Sequence, residues 1–142
     1  MTNVYSGPCF STSLWNAALA ATELYDRALA PAGIAVKQYR LLANLEYLGK
    51  ANVTHWAEQV GIDRSTMVRN IRLLQKQGWI EETEGHGKQF TLSPAGAEVL
   101  SAAKPLWAAA QQEIKELLGN SDCEAIFRMR DKLQDAAVGL GV

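Results

Sequence analysis

Four of the chain's fourteen arginine and lysine residues fall within "GIDRSTMVRNIRLLQKQGWI", residues 61–80, against a single acid, Asp63. Wound as a helix of 3.6 residues per turn, this stretch places Ile62, Met67, Val68, Ile71 and Leu74 on one arc. Ser65, Thr66, Arg69, Arg72 and Lys76 fall on the opposite arc, with Arg64 and Asn70 at its margins and Leu73 as the one apolar residue on that side. A guanidinium can meet two acceptors on a guanine edge, an asparagine amide can pair with adenine, and hydroxyls and lysine can hold phosphate oxygens. The polar arc therefore carries the groups that major-groove readout of double-stranded DNA requires. The formal net charge of the whole chain is −1, which does not favour a polyanionic partner, so this reading rests on local charge alone.

Other chemistry is sparse. Cys9 and Cys123 lie far apart with no metal-type spacing, and His55 and His86 stand without a carboxylate or cysteine cluster nearby in sequence. No metal site and no cofactor are expected. No nucleophile is paired with a base, so the chain does not read as an enzyme. A methyltransferase reading would need a cofactor domain with a glycine-rich loop, and none occurs here. Cys9 precedes the first helix, where unpaired N–H groups favour a thiolate. The conspicuous aromatics are Trp15, Tyr25, Tyr39, Trp56, Trp79 and Trp107, most at spacings that fit a helical core.

The elements that would position these residues follow from periodicity and punctuation. A first helix is expected from about Ser13 to Leu29, with Ser11, Thr12 and Ser13 as N-caps, an apolar stripe from Leu14 to Ala28, and "APAG" as its stop. A second runs from about Val36 to Leu48 and ends at Gly49. "VTHWAEQVGI" is a short third helix with Thr54 as N-cap, Glu58 one turn on, and Gly61 closing it. Asp63 then caps the basic helix, which ends near Gln77. Two β-prone runs around a glycine-bearing turn, "WIEETEG" and "KQFTLS", form a hairpin. Pro94 opens a long helix to Gly119, with a kink expected at Pro105. A last helix, capped at Ser121 or Asp122, carries an apolar stripe of Ile126, Met129, Leu133 and Leu140. That stripe has too few partners within one chain, and the first helix has an apolar face to match.

The 142 residues, 48% hydrophobic and 20% charged, suit one mostly α-helical domain with a small β-wing. The apolar stretches are far short of a membrane span, and the N-terminus has no basic start followed by an apolar run. Neither a membrane partner nor a secretory signal is expected, and the setting is cytoplasmic with reduced thiols.

"VTHWAEQVGIDRSTMVRNIRLL" has the parts of a helix-turn-helix: Ala57 is small where two helices cross, and Gly61 permits the turn. With "ELYDRALAPAGIAVKQYRLLANL", the extension to "QKQGWIE", and "FTLSPAGAEVL", the chain resembles MarR-family winged helix-turn-helix regulators over nearly its full length. The resemblance implies a homodimer joined by N-terminal (1–32) and C-terminal (97–142) helices around a winged helix-turn-helix (33–96). It also implies a repressor that binds a pseudo-palindromic operator and is released by a small ligand or by thiol oxidation. Family wings usually carry an arginine for the minor groove; here "EGHGKQFTL" is shorter and offers His86 and Lys88. Family effector pockets lie between the dimer helices and the winged domain. Trp15, Tyr25, Tyr39 and Trp107 are then the lining candidates for an aromatic or phenolic acid, with Arg40 or Lys37 as counter-charge. "CF" at Cys9 is similar to the peroxide-sensing branch, in which Cys123 of a partner chain would be the second thiol. The spacing from Cys9 to the "LYD" tyrosine is two residues longer than in that branch, and Val36 stands where it has a second tyrosine. Two further readings are thus a Cys9-based peroxide-sensing repressor and a winged-helix interaction module that has lost DNA binding.

Overall fold

Helix α1 spans Phe10–Leu29 and begins three residues before the expected Ser13. Cys9, not a hydroxyl residue, takes the N-cap position. Ser11, Thr12 and Ser13 fall in the first turn, where the Ser13 N–H already bonds to the Cys9 carbonyl at 3.0 Å. A 3-10 turn, Ala30–Ala32, follows, and α2 spans Val36–Leu48 as its periodicity predicts. The start of α2 is tied from two sides. The Asp26 carboxylate of α1 accepts from the Val36 N–H at 2.7 Å, and Gln38 reaches back to accept from the Ala35 N–H at 3.0 Å. These bonds satisfy donors that a helix start leaves unpaired.

The structure is a computed structural model that describes residues 8–85 and 87–139; His86 and Leu140 lie outside the described residues. Helix α3 spans Val53–Val60, and its cap is Asn52 rather than Thr54, with Asn52 Oδ1 accepting from the His55 N–H at 2.8 Å. Asparagine is the stronger N-cap of the two, so it takes the role and Thr54 becomes part of the helix. Gly61, at φ 83°, makes the left-handed turn that a side chain would oppose. Its N–H and that of Ile62 both bond to the Ala57 carbonyl, at 2.8 and 3.1 Å. Helix α4, Arg64–Lys76, then starts at Asp63.

Strands β1 (Ile80–Glu82) and β2 (Phe90–Leu92) pair antiparallel, with Ile80 opposite Leu92. Ala51 adds an isolated bridge by exchanging two backbone bonds with Phe90, at 3.1 and 2.9 Å. This bridge ties the α2–α3 connection to the root of the wing. Beneath it Trp56, Leu42, Leu45, Met67, Leu74 and Leu100 are fully buried, and the Trp56 and Phe90 rings meet at 6.4 Å. Apolar side chains from five helices and both strands thus converge on one core, which fixes the base of α4.

Helix α5 spans Pro94–Gly139, with Pro94 at its first position as expected. The helix departs from regular dihedrals where the sequence ends it rather than at Pro105, where a kink is expected. That departure is at Gly119 (φ 83°, ψ 164°), and Pro105 keeps helical dihedrals. Proline's fixed φ is itself helical, and its cost here is one missing bond to the Ser101 carbonyl. Both residues are exposed, so water can meet that carbonyl. The chain is helical again from Asn120, ahead of the expected cap at Ser121 or Asp122. It divides into two units, Met1–Trp107 and Ala108–Val142. In the first, Phe10, Leu14, Trp15 and Leu19 of α1 are exposed; in the second, Ile126, Phe127, Met129, Leu133 and Val138 are exposed.

Candidate nucleic-acid interface

Helix α4 is anchored on one side and open on the other. Met67, Ile71 and Leu74 are buried at 0, 5 and 1% exposure, whereas Arg64, Ser65, Arg69, Arg72, Leu73 and Lys76 are exposed and Thr66 and Asn70 half-buried. The structure therefore brings the seven α4 residues singled out in the sequence onto one face, with four cations and no acid among them.

The first turn of α4 is more committed than the sequence indicates. Asp63 Oδ2 accepts from the Thr66 N–H at 3.0 Å and from Ser65 Oγ at 2.5 Å, and its Oδ1 accepts from Thr66 Oγ1 at 2.5 Å. The two hydroxyl bonds and the backbone bond stabilise the anion and hold the Asp63 carboxyl well below the usual carboxylate range. Each hydroxyl has one proton, and both protons point at Asp63. Neither is available to a phosphate without breaking that bond, which alters the role expected for Ser65 and Thr66. Arg69 Nη2 in turn donates to Thr66 Oγ1 at 3.2 Å, and Asn70 Nδ2 donates to the Thr66 carbonyl at 2.9 Å. Asn70 keeps its amide oxygen and its second N–H for other partners.

The wing differs in charge from α4. Lys88 is exposed as expected, but it shares the hairpin with exposed Glu81, Glu82 and Glu84. Among the described residues the wing is thus net acidic, a poor match for the deep negative potential of a minor groove.

The aromatic candidates separate into two groups. Tyr39 and Trp107 stack, ring centroids 5.8 Å apart and planes at 16°, and Tyr25 packs against the same core. Trp15 is 65% exposed on α1 and is not part of that cluster. Burial is the main cause that raises the Tyr39 hydroxyl pKa, with Lys104 lowering it and Glu46 raising it. Lys104 and Glu46 form an ion pair at 2.6 Å. Lys104 is thus the cation whose field reaches Tyr39; like the expected counter-charges Lys37 and Arg40 on α2, it is exposed. Sequence reasoning missed Lys104 because 58 residues separate it from Glu46, and no local pattern links them.

Cys9 and Cys123 are both free and half-buried. The Cys9 thiol pKa is lowered, first by a hydrogen bond with the Thr12 side chain and then by the Thr12 backbone. Among the described residues no three of His, Cys, Asp and Glu gather as a metal site, and no helix is long and apolar enough to cross a membrane.

A two-helix motif turning at Gly61, a following antiparallel wing and a cationic outer face on the second helix define a winged helix-turn-helix protein. A sequence model of the MarR family matches residues 32–89. The M. tuberculosis transcriptional regulator MosR in its DNA complex is similar at 26% identity and a TM-score of 0.84, covering 94% of this chain and 99% of that one. The transcriptional repressor CouR bound to p-coumaroyl-CoA matches at 24% identity and 0.82, over 93% and 98% of the two chains. Bordetella bronchiseptica BpsR, whose DNA binding is regulated by 6-hydroxynicotinic acid, matches at 16% and 0.80, over 94% and 99%. The last two likenesses are of fold alone. Comparison with curated proteins finds no match. By its fold and the match over residues 32–89, the chain is similar to MarR-family transcriptional regulators.

Proposed function

We propose that the chain is a homodimeric, sequence-specific DNA-binding repressor, working in the cytoplasm and released by a small aromatic ligand. The observation that carries this reading is the outer face of α4, with Arg64, Arg69, Arg72 and Lys76 exposed beside Asn70. Arg69 and Asn70 stand mid-helix and read base edges, while Arg64, Arg72 and Lys76 flank them and meet phosphates. Lys88, and His86 beyond the described residues, have at most an auxiliary role because exposed Glu81, Glu82 and Glu84 share the hairpin with Lys88. The exposed apolar stripes on α1 and on the segment after Gly119 support dimerisation by residues 1–32 and 97–142, which leaves 33–96 to meet DNA. Two α4 helices related by a twofold axis would enter successive major grooves, about one helical turn apart.

The Tyr39–Trp107 stack supports an aromatic effector; Lys104 beside it is paired with Glu46, so a ligand carboxylate would have to displace that glutamate. CouR and BpsR, which share the fold, respond to or bind an aromatic acyl thioester and an aromatic acid. The lowered Cys9 pKa supports a second reading, release by oxidation of the Cys9 thiolate, with Cys123 of a partner chain as second thiol.

Binding of a selected operator by variants tests the DNA-reading face. Arg69→Ala should cost about 1–3 kcal/mol and relax preference at one base position, whereas Lys76→Ala should weaken all duplexes alike and reduce the salt slope by about 1. Unchanged operator affinity in Arg69→Ala would remove that residue from the face.

A further inference from the structure

Arg69 is exposed on a long, rotamer-rich stem, and an arginine that meets two acceptors on one base must present its planar fork in a fixed orientation. In the DNA-free chain Thr66 Oγ1 holds it at 3.2 Å through Nη2. The proton direction in this chain of bonds is forced. A carboxylate only accepts and a guanidinium only donates, so Thr66 Oγ1 gives its single proton to Asp63 Oδ1 at 2.5 Å and offers a lone pair to Arg69. A helical threonine has two accessible side-chain rotamers, and the bond to Asp63 selects one. Asp63 is itself held by Ser65 Oγ and the Thr66 N–H on its other oxygen. One of the five guanidinium N–H donors is used, which leaves four for a base.

We propose that Asp63, acting through the Thr66 hydroxyl, is a positioning residue for Arg69, orienting the guanidinium for bidentate contact with a guanine edge before DNA arrives. The inference rests on the proposed base-reading role of Arg69 and adds that Asp63 and Thr66 set sequence discrimination without touching the bases. Restricting the side chain in advance lowers the ordering cost on binding, and it does so only for the duplex in which the fixed orientation meets its acceptors. A phosphate contact gains less, because phosphate oxygens accept from many directions. The relay therefore predicts an effect on specificity that a simple cap would not have.

The test compares full-length wild type with Thr66→Val, Thr66→Ser, Asp63→Asn and Arg69→Ala. Each is titrated with the selected operator and with a set carrying every single base-pair substitution. Thr66→Val keeps the β-branched shape and the Asp63 cap but removes the bridge. It should lower discrimination about three- to tenfold at the base pair whose preference Arg69→Ala also loses, a larger effect there than on random duplex. Thr66→Ser should restore wild-type discrimination. Asp63→Asn, which still caps the Thr66 N–H, should act as Thr66→Val does and carries the same prediction should Thr66→Val melt early. In the DNA-free protein, nitrogen-15 relaxation of Arg69 Nε should report a more mobile side chain in Thr66→Val than in wild type or Thr66→Ser. Wild-type discrimination in Thr66→Val alongside its loss in Arg69→Ala would overturn the relay and leave base reading by Arg69 intact. An equal loss on every duplex would also overturn it, since that marks general loosening of α4. Wild-type behaviour of Arg69→Ala would instead overturn the base-reading role, and the relay with it.

Discussion

Replacing Gly96 with alanine tests how the wing is fixed to the helix that follows it. Ser93 is buried, its N–H bonds to the Trp79 carbonyl at 3.0 Å, and its hydroxyl donates to the Gly78 carbonyl at 2.5 Å and accepts from the Gly96 N–H at 3.0 Å. This draws the first turn of α5 onto the entry to β1. A methyl group at Gly96 would fall 1.9 Å from the Trp79 carbonyl oxygen and 2.8 Å from its carbon, where non-bonded carbon prefers about 3.5–4.0 Å. The obstacle is backbone, pinned by the bond to Ser93 and by the pairing of Ile80 with Leu92. Relief must therefore open the junction. Overpacking of this kind costs about 1–3 kcal/mol, and losing one or two of the hydrogen bonds adds about 0.5–1.5 kcal/mol each. Alanine's helix propensity returns at most about 1 kcal/mol. The clash wins, by roughly 3 kcal/mol net on these figures, which for a chain of this size lowers Tm by about 10 °C. Melting followed by far-UV circular dichroism, at fixed protomer concentration because association shifts Tm, would measure it. A Tm equal to or above wild type would show that helix propensity governs the site and that the close approach is absent.

Three other outcomes follow from the same structure. Leu133→Asp places a charge in the exposed apolar stripe once per protomer, so it should weaken a twofold dimer by more than about 3 kcal/mol, over 100-fold in Kd; sedimentation showing an unchanged dimer would count against that interface. A small aromatic acid should quench tryptophan fluorescence and weaken operator binding in wild type but not in Trp107→Ala. A tenfold release needs only about 1.4 kcal/mol of differential affinity, and release that survives in Trp107→Ala would remove the Tyr39–Trp107 stack from the effector site. With Cys123 replaced by serine, alkylation of Cys9 should reach half its maximal rate at a lower pH than an ordinary cysteine, since a lowered pKa supplies thiolate sooner as pH rises. A profile at or above the ordinary one would remove the support for oxidation.

Much of the winged unit was legible because its signals are local. The bounds of α2, the Asp63 cap, the turn at Gly61 and Pro94 as a first helical residue each depend on a few neighbouring residues. Errors arose where several residues compete for one local role. Asn52 and Thr54 can both cap, and the stronger acceptor took the position. Serine and threonine at 11–13 are compatible with a first turn as well as with a cap, and the helix ran past them to Phe10. Pro105 keeps helical dihedrals because its own φ fits the helix, and the break falls at Gly119, where the sequence ends the long helix. In the candidate site, periodicity alone placed the cations of α4 on one face. It did not show that the Ser65 and Thr66 protons are already taken by Asp63, nor that Lys104 reaches Glu46 across 58 residues of chain. Those facts depend on rotamers and on packing between distant segments.

The salt dependence of binding to DNA tests the central claim most directly. The full chain would be titrated, at several salt concentrations, with a duplex recovered by selection from random sequence and with a scrambled control. The account predicts a pseudo-palindrome with half-sites about 10 bp apart and one dimer bound per duplex. It also predicts affinity at least about 1,000-fold above the control at physiological salt. Three phosphate-facing α4 cations per protomer give at most six phosphate contacts per dimer, so the slope of log K against log salt should lie between about −3 and −5. Selection that returns no preferred sequence, or binding whose affinity barely changes with salt, would contradict the assignment of α4 as the surface that meets DNA.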